Sequence, residues 1–166
     1  MNESSPWPPP LIQLEHYGGD WRQYISAVYS AFHHDFIRTQ PQLDGLWVRC
    51  RRDPICDGKE AGFWHCTSEG QDEANRAPDL RRCERIKWIR AIIENAGGSD
   101  VDRWTNRRGS EVRHPLWFRE EFLVVLAERI RSRDAFRYYQ LITAYCTQEE
   151  NRKRGLRRER DAHRNG

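Results

Sequence analysis

Nothing in this chain approaches the run of 18 or so apolar residues that a membrane-crossing helix needs. Only 37% of its residues are apolar, and there is a single methionine. A glycine-rich phosphate loop, a nucleophile elbow and internal repeats are also missing. Phosphate-loop nucleotide chemistry and serine-hydrolase chemistry are therefore excluded as starting points. The five cysteines, at positions 50, 56, 66, 83 and 146, form no CxxC pair and leave one over. That pattern favours reduced thiols in a cytoplasmic compartment over a disulfide framework. Cys50, Cys56 and Cys66 are spaced like no zinc module, so neither metal nor cofactor is expected. Met1 to Pro10 is polar and proline-rich, without the apolar centre of a secretory leader. A soluble, cytoplasmic protein is the expectation.

What is present is charge and aromatic surface. Charged residues make up 32% of the 166, and seven tryptophans supply large rings to a core otherwise short of apolar groups. The length suits one domain. The formal net charge is only +3, but arginine dominates lysine and is dense from Arg152 to Arg164. Arginine suits bidentate contact with phosphate, and equally suits protein interfaces.

Along the chain, residues 1–19 read as a flexible proline-rich arm. Asp20 is placed as the N-cap of a helix to about Ile37, because Tyr24, Val28, Phe32 and Phe36 recur at helical spacing. His33 and His34 fall at its C-terminal end, where the dipole favours a protonated ring. Leu46 to Arg51 reads as a strand, and the turn dipeptides after it make Gly62 to Thr67 its hairpin partner. A helix follows from Asp79 to Glu94, ended by Gly97-Gly98. Val101 to His114 is polar and irregular. Glu121 to Arg131 and Phe136 to Thr147 pattern as a long antiparallel hairpin, with Tyr139, Leu141, Thr143 and Tyr145 on one side. Residues 149–166 form a basic tail, either a frayed helix or disordered, outside a single domain spanning 20–148. The fold class is α+β: a curved antiparallel sheet of about four strands, with N-terminal helices on one side.

The stretch from Gly62 to Arg90 carries the chemistry. It places His65 at the end of an apolar segment, facing a helix that holds Arg82, Arg85 and Arg90. An imidazole close to fixed guanidinium groups is what phosphate-ester chemistry without a metal requires. The plainer alternative is a half-buried strand histidine beside a solvated helix face.

The segments FWHCTS, DLRRCERIKWIRAII, EFLVVLAERI and YYQLITAYCT together resemble the phage-associated branch of the barnase–EndoU–colicin–RelE ribonuclease superfamily, across roughly residues 20 to 148. The resemblance implies RNA as substrate, cleaved without a metal by 2′-hydroxyl attack to give a cyclic phosphate. It also implies a neutralising antitoxin or immunity protein as a class of partner. By position His65 is the acid or base, and Arg82 and Arg85 clamp the phosphate. Thr143 and Tyr145 supply hydroxyls from one face of the last strand, where cross-strand packing is their alternative role. The catalytic glutamate of a barnase-like pattern has no clear counterpart; Glu69 and Glu84 are the candidates. A rival class is a phage-type protein that binds nucleic acid or inhibits a host protein without catalysis.

Overall fold

The computed structural model describes residues 5–72 and 75–166. Helix α1 (Trp21–His33) starts where the Asp20 carboxylate accepts the Gln23 N–H at 3.2 Å, and it runs on into a wider turn over His34–Arg38. Tyr24, Val28, Phe32 and Phe36 are buried, the stripe that a 3.6-residue period dictates. The residues before α1, expected as a flexible arm, lie against the domain from Ser5 onward. Trp7 meets Phe118 edge-on at 5.0 Å and donates from Nε1 to Asp100. Trp88 Nε1 donates to the Pro9 carbonyl at 2.8 Å, and the Ile12 N–H donates to the Glu84 carbonyl. An extended proline-rich segment makes no internal hydrogen bonds, so its carbonyls remain for other elements to use.

Strands β1 (Gln42–Leu43) and β2 (Leu46–Cys50) form a tight hairpin over Asp44-Gly45, both at positive φ. The expected partner of β2 is not a strand. Ala61–Thr67 is helix α2, with Phe63, Cys66 and Thr67 buried at helical spacing. So short an apolar run fits either period, and its packing decides. The amides of Ala61 and Gly62 donate to the carbonyls of Arg52 and Arg51 at 3.1 and 2.8 Å, which locks the start of α2 onto the end of β2. At this approach only glycine fits: a Cβ on Gly62 would lie 2.9 Å from both the Arg51 carbonyl oxygen and the Cys50 Cβ. Gly62→Ala is expected to cost about 1–3 kcal/mol, read as a lower urea midpoint at unchanged slope. An unchanged midpoint would show that the approach can relax.

After α2 come a two-residue ladder, β3 (Ser68–Glu69) with β4 (Ala77–Pro78), and the arginine-bearing helix. The helix is broken in two, α3 (Leu80–Glu84) and α4 (Ile86–Glu94), because Arg85 leaves helical geometry at φ −102° and ψ 19°. The stretch read as irregular contains β5 (Val101–Arg103), β6 (Asn106–Arg108) and the start of β7 (Glu111–Phe118). The expected hairpin of β8 (Phe122–Arg131) and β9 (Phe136–Cys146) is present.

The class is α+β, but the sheet is neither four-stranded nor wholly antiparallel. Its order is β1-β2-β9-β8-β7-β5, with β6 also on β7, and β2 pairs with β9 in parallel. With α2 coiled away, the free edge of β2 is taken by the last strand of the domain. One face of the sheet packs on α1, α2 and α4 through Val48, Leu116, Val124, Leu126 and Leu141. The opposite face is covered over one half by α5 (Glu150–Asn165), the region expected as a tail. Leu156 sits there among Trp104, Trp117, Leu123 and Val125. Among the described residues no helix is long and apolar enough to cross a membrane.

Candidate nucleic-acid interface

The half of the outer sheet face that α5 leaves open is strongly basic. Residues paired across strands project to the same side. The register row Arg49–Gln140–Ala127–Arg113 therefore crosses β2, β9, β8 and β7, with Arg129 opposite Tyr138 beside it. At the edge of this face α2 brings in His65, and the short link after β2 brings in Arg51. Together they bound a groove of about 160 Å³ lined by His65, Arg51, Glu111, Arg113, Arg129 and Gln140, among others.

Glu111 accepts from Arg113 Nε and from Arg129 Nη2, the latter at 2.7 Å. Arg129 Nε in turn donates to Gln140 Oε1 at 2.7 Å. Burial alone would raise the Glu111 carboxyl, but the hydrogen bonds from Arg113 and Arg129 outweigh it and hold the group below its ordinary value. It is a carboxylate at neutral pH. The groove thus presents an imidazole, a carboxylate and several guanidinium groups around a space of phosphate size.

This constellation overlaps the expected one at a single residue. His65 lines the groove from a helix, where a strand was expected. Arg82 is turned away from it and staples α2 to α3: Nη1 donates to the Ser68 and His65 carbonyls at 3.0 and 3.4 Å, and Nη2 to Glu69. Its Nε lies 3.3 Å from Asp79 as an ion-pair contact without hydrogen-bond geometry. The side chain is 11% exposed, which leaves little for a ligand. Arg85 lies over the Trp88 ring at 5.1 Å and pairs with Glu84. The two glutamates held in reserve are thereby both engaged with arginines outside the groove.

Thr143 donates to the His65 carbonyl at 3.0 Å, which ties β9 to the backbone of the residue that carries the imidazole. Tyr145 accepts from Arg152 and stacks under Arg82 at 5.4 Å, in a separate depression of about 350 Å³. The expected common face for Tyr139, Leu141, Thr143 and Tyr145 is broken by a β-bulge at Val125/Leu126. The extra residue shifts the phase, so Tyr139, Leu141 and Ala144 face the main core while Tyr145 faces the α5 side.

Arg113, Arg129 and Glu111 lie outside the expected set, although the sequence carries a signal for them. Glu111/Arg113, Arg129/Arg131 and Arg49/Arg51 are each two apart, the spacing that puts strand residues on one face. The groove continues past Arg51 and Gln140 into a larger one of about 710 Å³, lined also by Arg49, Arg52, Arg131 and Tyr138.

Another polar cluster is closed on itself. On the opposite sheet face His114 Nε2 lies 2.9 Å from Glu128, Arg103 is bidentate to Asp44, and Tyr139 donates to Asp44 at 3.1 Å. That network ties the β1–β2 turn to the sheet. All five cysteines are free thiols, and burial pushes Cys50 up to about 11 and Cys66 and Cys83 up to about 12, so these three are poor nucleophiles. No set of metal-binding side chains is gathered among the described residues. Comparison of the chain with protein-family models, with curated proteins and with solved structures gives no match.

Proposed function

We propose that this protein binds single-stranded RNA in the His65 groove and cleaves it without a metal ion. The observation that carries the reading is the meeting of His65, Glu111 and the Arg51, Arg113 and Arg129 guanidinium groups around one small groove. In-line attack of a ribose 2′-hydroxyl on its own phosphorus needs a base, an acid and cationic support for the equatorial oxygens. Glu111 takes the 2′-hydroxyl proton as the new P–O2′ bond forms. A protonated His65 gives its proton to O5′ as the P–O5′ bond breaks. The products are a 2′,3′-cyclic phosphate and a free 5′-hydroxyl, so protons and bonds balance with no further reactant.

Arg113 and Arg129 have a double role in this scheme. In the free protein they hold Glu111 ionised and weakly basic. A phosphate that draws them off relieves that hold and moves the carboxyl back toward the basicity a proton acceptor needs.

The test is incubation of the purified protein with single-stranded RNA in excess EDTA, followed by end-group analysis. Cyclic phosphate and 5′-hydroxyl ends are expected. Cleavage that stops in EDTA and returns with magnesium would overturn the mechanism. A second reading, RNA binding without cleavage, is favoured by Thr143 and Tyr145, whose hydroxyls are engaged away from the groove. It predicts bound RNA recovered intact.

A further inference from the structure

The larger groove beside the His65 site differs from it in having aromatic rings in its lining, Tyr138 and the nearly buried Phe36, and Tyr138 continues into a stack beside the groove. Phe136 and Tyr138, alternate residues on β9, stack at 6.1 Å with their planes 25° apart. The Arg49 guanidinium lies over both, 4.9 Å from Phe136 and 5.5 Å from Tyr138, and Arg131 lies 5.0 Å from the Phe136 ring. Arg49 Nε is buried without a hydrogen-bond partner among the described residues, so ring contact holds this guanidinium in place. Two residues earlier on β2, on the same outward side, Trp47 is 41% exposed. Trp47 thus adds an exposed ring to the side of the sheet that carries the Arg49 stack.

We infer that this groove is a base-binding subsite, which takes an unstacked nucleobase of the same RNA strand whose phosphate lies against Arg113 and Arg129. The inference rests on the phosphate reading above and adds the part of the ligand that reading leaves unplaced. Planar guanidinium and aromatic faces accept any base by stacking, and cationic rims follow the backbone. The two grooves share Arg51 and Gln140. Tyr138 and Gln140 are separated by roughly 6.5 Å of strand, a step comparable to one nucleotide of an extended chain. The carboxylates of an acidic peptide would satisfy the arginines but offer no planar ring to stack beside Tyr138.

The test uses 2′-O-methyl RNA hexamers, which lack the attacking hydroxyl, with and without bases, binding to the parent and to Trp47→Ala and Tyr138→Ala. Each variant is expected to weaken the base-bearing hexamer by roughly 5- to 150-fold. The salt dependence should not change, nor should affinity for the abasic hexamer. Tyr138→Phe should keep the parent's affinity, which guards against a Tyr138→Ala variant that fails to fold. Equal losses on both hexamers, no loss on either, or displacement of RNA by polyglutamate at equal charge would each overturn the subsite. If the parent binds the abasic hexamer as well as the base-bearing one, the subsite falls and the phosphate reading stands. If the parent binds neither, both fall.

Discussion

His65→Ala is expected to lower the single-turnover rate of the proposed RNA cleavage by about 10²- to 10⁴-fold, the usual contribution of one positioned acid or base. RNA affinity should change little, because binding rests on the guanidinium groups. Glu111→Gln should fall in the same range, having lost the proton acceptor while keeping the shape. Arg113→Ala should weaken binding and cleavage together and reduce the salt slope by about one. The melting temperature of each variant is measured beside its rate. A His65→Ala protein as stable as the parent and fully active removes the imidazole from the mechanism. Loss of activity that only tracks loss of stability returns His65 to a packing role. Arg82→Ala serves as the contrast: with its guanidinium spent on the Ser68 and His65 carbonyls and on Glu69, its loss should lower stability while leaving RNA affinity near that of the parent.

The C-terminal segment carries the second large effect. Read as a basic tail, residues 149–166 would be removable without harm to the fold and would account for much of the RNA affinity. The segment is instead helix α5, and two of its arginines, Arg157 and Arg160, are turned onto the sheet. Arg157 donates to Glu120 and Glu150, and Arg160 to Asp102 and Glu120. Glu159 accepts from Trp104 Nε1 and from Asn106. Leu156, 2% exposed, closes the cluster over Trp117. Leu156→Ala is expected to cost about 2–5 kcal/mol. Deleting residues 151–166 should cost more, since it exposes Trp104 and Trp117 together and leaves Glu120 unpaired.

Urea midpoints and near-ultraviolet circular dichroism of the tryptophans check both variants. A truncated protein with the parent's midpoint would mean that α5 adds nothing to the fold. The docking also weakens in acid. Hydrogen bonds from Arg157 and Arg160 hold the folded Glu120 carboxyl below its ordinary value, against a smaller opposing push from burial. Its stabilising effect is therefore present above the ordinary carboxylate range and is lost as pH falls through the folded value.

The parts of this fold that the sequence settles alone are those with one strong period or one local hydrogen bond. The α1 stripe of Tyr24, Val28, Phe32 and Phe36 admits one helical face, and Asp20 marks its start. The β8–β9 hairpin follows from a continuous apolar run, Phe122 to Ala127, and a second long patterned run on either side of a polar turn. The mixture of helix and sheet follows from those two patterns. Elsewhere local pattern is ambiguous and tertiary contact decides. Gly62 to Thr67 is apolar at nearly every position, so a strand and a helix bury it equally; the carbonyls of Arg51 and Arg52, which accept its first amides, make it a helix. That choice frees the edge of β2 for β9 and turns an antiparallel sheet into a mixed one.

The candidate site divides the same way. His65 stands out in the sequence because an imidazole in an apolar segment is unusual. Its partners do not, because they come from β7, β8 and the end of β2, brought together by registers that no short window contains. Arg82, close in sequence and of the right charge, is consumed by helix-end carbonyls that exist only once α2 and α3 have formed. A charge in a sequence has no direction until packing gives it one, and here packing turned Arg157 and Arg160 of α5 onto the sheet and Arg49, Arg113 and Arg129 of the strands into the open face.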